Sequence, residues 1–169
     1  MRVYISGKNS KVSNREMRYA AQYFAHMLLG PRLSRSISIF IKNEYDDGFH
    51  GSVTFLDDNH MPRSFDMSID PAKGKRAQLL TLAHEMVHVK QYARGELKTL
   101  FNHKENRWKG RYITDEQFHY YDQPWEIEAF GRELGLYNRF INHVKNEKVK
   151  FDKPFNPKMF PAPPRQAEL

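Results

Sequence analysis

Hydrophobic and polar positions follow a period of two in the first part of the chain and a period near 3.6 in most of the second. "RVYIS" (2–6), closed by Gly7, and "SISIFIK" (36–42) alternate as strands do. "GSVTFLD" (51–57) and "RSFDMSID" (63–70) flank the turn-like "DNHMP" and predict an antiparallel pair. Between the first two strands, "SNRE" (Ser13 to Glu16) is a capping box. A helix follows through Tyr19, Ala20, Tyr23, Phe24 and Met27, and "GP" at 30–31 is expected to stop it.

After residue 70 the helical period dominates. "DP" at 70–71 caps and begins a segment whose helix is established by about Arg76 and ends near Gly95. Residues 96–123 are polar, aromatic and irregular, predicting loop with a short hairpin around "NRWKGRYIT". Pro124 opens a second strong helix over "PWEIEAFGRELGLYNRFINHV". Five of the nine prolines fall within 154–164, so 151–169 is expected to be an extended or disordered tail on a folded domain of residues 1–150. Strands and a helix first, then helices, read as α+β, with a short mixed sheet packed on helices.

The totals narrow this picture. A chain of 169 residues fits one domain with a real core. No apolar run approaches the roughly 18 residues of a membrane span, so no membrane partner is expected. With no cysteine, a disulfide framework and a thiolate metal site are both excluded, and a reducing compartment fits. "MRVYISGKN" lacks the apolar segment of a secretory signal, so a cytoplasmic location is expected. The net charge of +7 favours anionic partners, nucleic acid above all, although the basic residues are scattered rather than blocked.

The chemistry concentrates in "HEMVH", residues 84–88. Helical spacing puts His84 and His88 on one face, one turn apart, where both imidazoles reach a single ion. Zinc suits neutral imidazole, and a catalytic site adds a third protein ligand while leaving one position open. Glu85 projects beside the pair, placed to take a proton from a water activated by the ion. With eight His and eleven Glu in the chain, about 0.02 such patterns arise by chance, so the spacing carries weight. Leu79, Leu80, Leu82, Ala83, Met86, Val87 and Val89 form the apolar face of this helix. His84 and His88 lie nearly opposite, with Ala77, Thr81 and Gln91, so buried core histidines are not expected there, and the picture competing with a metal site is a solvated face.

The third ligand is open to several residues. The extended pattern HExxHxxGxxH needs histidine at 94, which is Arg94, so that class is excluded. His103 follows in a loop, and nothing around His119 sets its direction. On the second helix, Ile127, Phe130, Leu134, Tyr137 and Ile141 make a stripe expected to meet the core. Glu126 lies about 50° from the centre of that stripe and Glu128 about 150°. The rim of a packed face can reach a neighbouring helix, so Glu126 is the expected ligand, with Glu128 and His103 as alternatives.

"HEMVH" followed by "PWEIEA" resembles the zincin metallopeptidases of the gluzincin type, in which a glutamate on a later helix completes the HExxH site. The E-x-x-A pattern around their ligand glutamate is matched by Glu126 to Ala129. In some of these groups an Asp or Asn stands four residues after the ligand; here that place is Phe130, so such a partner is absent or comes from another position. "HEMVHVKQY", "RWKGRY" and "PWEIEA" also resemble the short SprT-like proteins of bacteriophages, over residues 76 to about 137. SprT and Spartan proteases use a third histidine followed by glycine, whereas His103 is followed by Lys104.

The resemblance implies a zincin-like domain, a Zn2+ ion held by His84, His88 and Glu126, and peptide-bond hydrolysis with Glu85 as general base. Its substrate would be a peptide or protein, including protein on DNA. Tyr112, His119, Tyr120 and Tyr121 are candidate donors to the oxyanion. Either "GSVTFLD" or "RSFDMSID" would hold extended substrate by strand addition. The aromatics of 101–125 are expected to pack rather than stack on bases. The competing functions are a catalytically silent zincin-fold module that binds DNA or protein, and a structural zinc protein of a virion.

Overall fold

The computed structural model describes residues 1–44, 50–99, 105–114 and 117–160. In chain order the elements are β1 (Arg2–Ser6), α1 (Asn14–Ser34), β2 (Ser38–Asn43), β3 (Gly51–Phe55), β4 (Ser64–Ile69), α2 (Lys75–Ala93), β5 (Leu97–Thr99), β6 (Glu105–Trp108), β7 (Arg111–Thr114) and α3 (Pro124–Asn146). Short 3-10 turns occupy Tyr120–Asp122 and Pro157–Met159. This is the small mixed α+β domain that the residue pattern predicts.

The main sheet has the order β1-β2-β4-β3. β1, β2 and β4 run parallel, and β3 pairs antiparallel with β4 across the predicted turn. The Asp57 carboxylate closes that turn by accepting the backbone N–H groups of Arg63 and Ser64, each at 2.8 Å. Alternation then sorts the faces. Ile39, Ile41, Phe65, Met67 and Ile69 are buried against the helices. On the opposite face Tyr4 stacks on Phe40 and Lys42 pairs with Asp66 at 2.7 Å.

α1 begins as its capping box dictates, with Ser13 Oγ accepting the Glu16 N–H. Glu16 itself turns to Lys75 at the start of α2. Gly30, with φ of 76°, breaks the helix where "GP" predicts a stop, but a further helical turn resumes from Pro31 to Ser34. Proline is tolerated at the first position of a helical turn, which is why the break does not end the element.

Two expectations about helix faces are corrected. On α2 the apolar face is buried as expected, yet the opposite face is buried as well: His84, Glu85, His88 and Gln91 are all below 9% exposed. α3 covers them. On α3 the side turned inward carries Trp125, Glu126, Ala129, Leu136 and Phe140, while Ile127, Phe130 and Leu134 of the expected core stripe are 57%, 41% and 49% exposed. Both flanks of this helix are apolar enough to be buried, so its roll is decided by what it packs against.

The segment 96–123 holds more structure than the sequence suggests. β5, β6 and β7 form a second, antiparallel sheet. The predicted hairpin turns at Lys109 and Gly110, whose φ values of 46° and 89° are both left-handed. Within 151–160 regular structure is nearly absent, but Phe151, Phe155 and Phe160 pack on the core. Phe155 meets Tyr19 and Phe160 meets Tyr23, each edge-on with centroids 5.4 Å apart. Packing therefore continues beyond residue 150; the rest of the expected tail, 161–169, lies outside the described residues.

Candidate metal centre

α2 carries its two histidines into the contact with α3, and Pro124 starts α3 so that Glu126 falls in its first turn. The result is a buried cluster of His84, His88 and Glu126, a potential three-ligand metal site consistent with a zincin-like active site. The two Nε2 atoms stand 3.2 Å apart. Glu126 Oε2 lies 3.2 Å from His84 Nε2, and Oε1 lies 3.3 Å from His88 Nε2. Ligands at about 2.0–2.1 Å around a tetrahedral centre stand roughly 3.3 Å from one another, so these separations fit a zinc ion.

The hydrogen bonds on the far side of each ring show which atoms converge. His84 Nδ1 donates to Glu133 Oε2 at 2.9 Å, and His88 Nδ1 donates to Gln91 Oε1 at 2.8 Å. With both Nδ1 hydrogens committed outward, the Nε2 atoms face the Glu126 carboxylate. Glu126 Oε2 is buried without a hydrogen-bond partner among the described residues. Lone pairs gathered in a buried space repel unless a proton or a cation sits among them. The donor set, imidazole and carboxylate, is the one zinc takes.

Electrostatics point the same way. Burial pushes the His84 imidazole down, but the carboxylates of Glu126 and Glu133 outweigh it and raise the group to about 9. Glu126 is pushed up by burial and drawn down further by the two imidazoles, to about 2. Those directions agree: the centre of the cluster favours positive charge. Burial raises the Glu85 carboxyl above the usual range, against the pull of His88 and His84.

Beside the cluster a cleft of about 340 Å3 opens, and Glu85, His88 and Glu126 line it. One wall is β3 (Gly51, Ser52, Val53), which pairs on one side only among the described residues. The other wall includes Leu97, Thr99, Tyr120 and Trp125. Of the four candidate oxyanion donors, Tyr120 is the one that lines the cleft. Burial, and then the Glu126 carboxylate, hold its hydroxyl protonated well above the usual tyrosine range. Tyr121 packs instead on Phe130 and His119, and Tyr112 is exposed.

The alternatives for the third ligand separate. Glu128 is directed away from the cluster, to Lys90 Nζ at 2.7 Å, Arg132 Nε at 2.9 Å and Gln91 Nε2 at 3.0 Å. His103 lies outside the described residues. Sequence reasoning missed Glu133 and Gln91. Each had a signal: Glu133 stands seven residues after Glu126 and Gln91 three after His88, so each shares a helix face with a member of the cluster. Glu133 supplies the acidic partner that Phe130 does not. Phe130 lies edge-on to the His84 ring, with centroids 4.6 Å apart.

No protein-family model, curated protein or solved structure matches the chain. The zincin-like character rests on the cluster itself, and no homology supports membership of the SprT family. No helix among the described residues is long and apolar enough to cross a membrane.

Proposed function

We propose that the protein is a zinc-dependent metallopeptidase of the gluzincin type. The observation that carries this reading is the mutual spacing of 3.2–3.3 Å among the buried His84, His88 and Glu126 ligand atoms, with Glu85 lining the same cleft.

His84, His88 and Glu126 would hold the zinc, which would supply Lewis-acid activation of a water. Glu85 accepts a proton from that water as it attacks the peptide carbonyl, then passes the proton to the leaving amine. A carboxyl already biased toward its protonated form by burial is suited to both halves of the transfer. The Tyr120 hydroxyl donates to the carbonyl oxygen as negative charge develops on it. An extended substrate adds as a strand beside β3, the last strand in the order of the main sheet. The SprT-like resemblance, action in the cytoplasm (a host's, if phage-encoded) and substrates close to nucleic acid belong to the same proposal, the last supported by the +7 charge.

Casein and self-cleavage assays with and without chelator test the reading, with Glu85→Gln beside the natural protein. The variant is expected to bind zinc and lose hydrolysis. Unchanged turnover in Glu85→Gln ends the mechanism. Bound zinc without hydrolysis in the natural protein leaves a binding module or a structural zinc protein.

A further inference from the structure

Gln91 is fully buried and uses both ends of its amide. Nε2 donates to the main-chain carbonyl of Trp125 at 2.9 Å and to Glu128 Oε2 at 3.0 Å. Both are acceptors, so the NH2 end must face them and the amide cannot be turned around. Oε1 therefore faces His88 Nδ1, at 2.8 Å, and as an acceptor it requires the hydrogen on Nδ1. That leaves Nε2 of the neutral ring as the nitrogen with a lone pair, pointing at Glu126. The acceptors are themselves held. Glu128 is braced by Lys90, whose ammonium is buried, and by Arg132. Trp125 is the residue immediately before Glu126.

We propose that Gln91 is a positioning residue that couples the ligands of two helices. Through Oε1 it sets the His88 ring, and through Nε2 it fixes the start of α3 at the residue preceding Glu126. One rigid amide thus determines how far the α3 carboxylate stands from the α2 imidazole. A single side chain with no access to the ion controls the geometry of the site. This rests on the metal site of the proposed function and not on catalysis.

The test uses the full chain with zinc and with cobalt(II), whose visible d–d spectrum reports coordination geometry. Gln91→Met keeps the volume and removes all three hydrogen bonds. It is expected to weaken zinc binding about 10- to 100-fold in competition with a chromophoric chelator, and to shift the cobalt spectrum of the folded protein. Gln91→Glu keeps the acceptor for His88 but sets an oxygen against the Trp125 carbonyl, so a similar loss is expected; it carries the test should Gln91→Met fail to fold. A folded variant with natural zinc affinity and an unchanged cobalt spectrum overturns the proposal. Natural protein that takes up neither metal overturns this and the metallopeptidase reading together. Natural protein that binds metal without cleaving peptides ends only the latter.

Discussion

Glu133 accepts the Nδ1 hydrogen of His84 at 2.9 Å, from a position two turns beyond Glu126 on the same face of α3. One helix therefore offers a carboxylate to the cluster and another to the back of a histidine in it. Such partners fix the ring and raise its basicity. Glu133→Leu is expected to lower zinc affinity about 10- to 100-fold, and Glu133→Gln less, because an amide oxygen still accepts. Competition titrations measure both; natural affinity in Glu133→Leu would make the contact incidental.

The two glutamates near the start of α3 face different partners, so their variants should separate cleanly. Glu126→Gln is expected to lose bound zinc on metal analysis after gel filtration. Glu128→Gln should keep zinc but weaken the braces on Lys90 and Gln91, at a cost of about 1–3 kcal/mol in stability. Denaturant melts of both variants give the comparison. The reverse pattern would transfer the ligand role to Glu128.

For the metal-free protein, stability should vary with pH at both ends. His84 is raised from 6.5 to about 9, so its contribution is fully present below pH 6.5 and is lost as pH rises through about 9. Glu126 is lowered from 4.5 to about 2, so its contribution is present above pH 4.5 and is lost as pH falls through about 2. Urea midpoints of chelator-treated protein should fall between pH 6.5 and 9. Zinc must displace the His84 proton, so binding at pH 7 should release protons, which calorimetry in buffers of different ionisation enthalpy detects. A flat profile over that range would mean that the histidine carries no such proton.

Tyr120→Phe removes the hydroxyl and its contact with the Glu126 carboxylate. If that hydroxyl stabilises the oxyanion, kcat should drop by roughly 10²–10³ with KM and zinc content unchanged. A change in KM alone would assign Tyr120 to substrate binding.

Gly51 lets β3 pass close to α2. A Cβ there would stand 2.5 Å from Thr81 Cγ2 and 2.9 Å from the Ser68 carbonyl oxygen. Gly51→Ala should therefore destabilise by about 1–3 kcal/mol and displace the strand that walls the cleft. Thermal melts test the first effect, and protection of β3 amides from hydrogen exchange the second.

Local pattern and spacing were enough to determine the strands of the main sheet, the three long helices, and the presentation of His84 and His88 from one helical face. Each of these depends on residues within one or two turns of one another. What lies between distant segments was decided elsewhere. The histidine face of α2 contains Thr81, Gln91 and no large apolar residue, so nothing local predicts burial; α3 supplies it by packing there. On α3, Ile127, Phe130 and Leu134 lie on one flank of Glu126, and Trp125, Ala129, Leu136 and Phe140 on the other. Periodicity favours the first group, but the fold buries the second, about 140° away around the helix axis. Glu126 reaches the cluster because it sits on the seam between the two flanks, at the edge of whichever one is buried. Glu128 points instead at the buried Lys90, and Gln91 finds both His88 and Trp125, only because two helices meet there. Helical period orders side chains around a single axis; how one axis rolls against another is set by the whole contact, and no single segment encodes it.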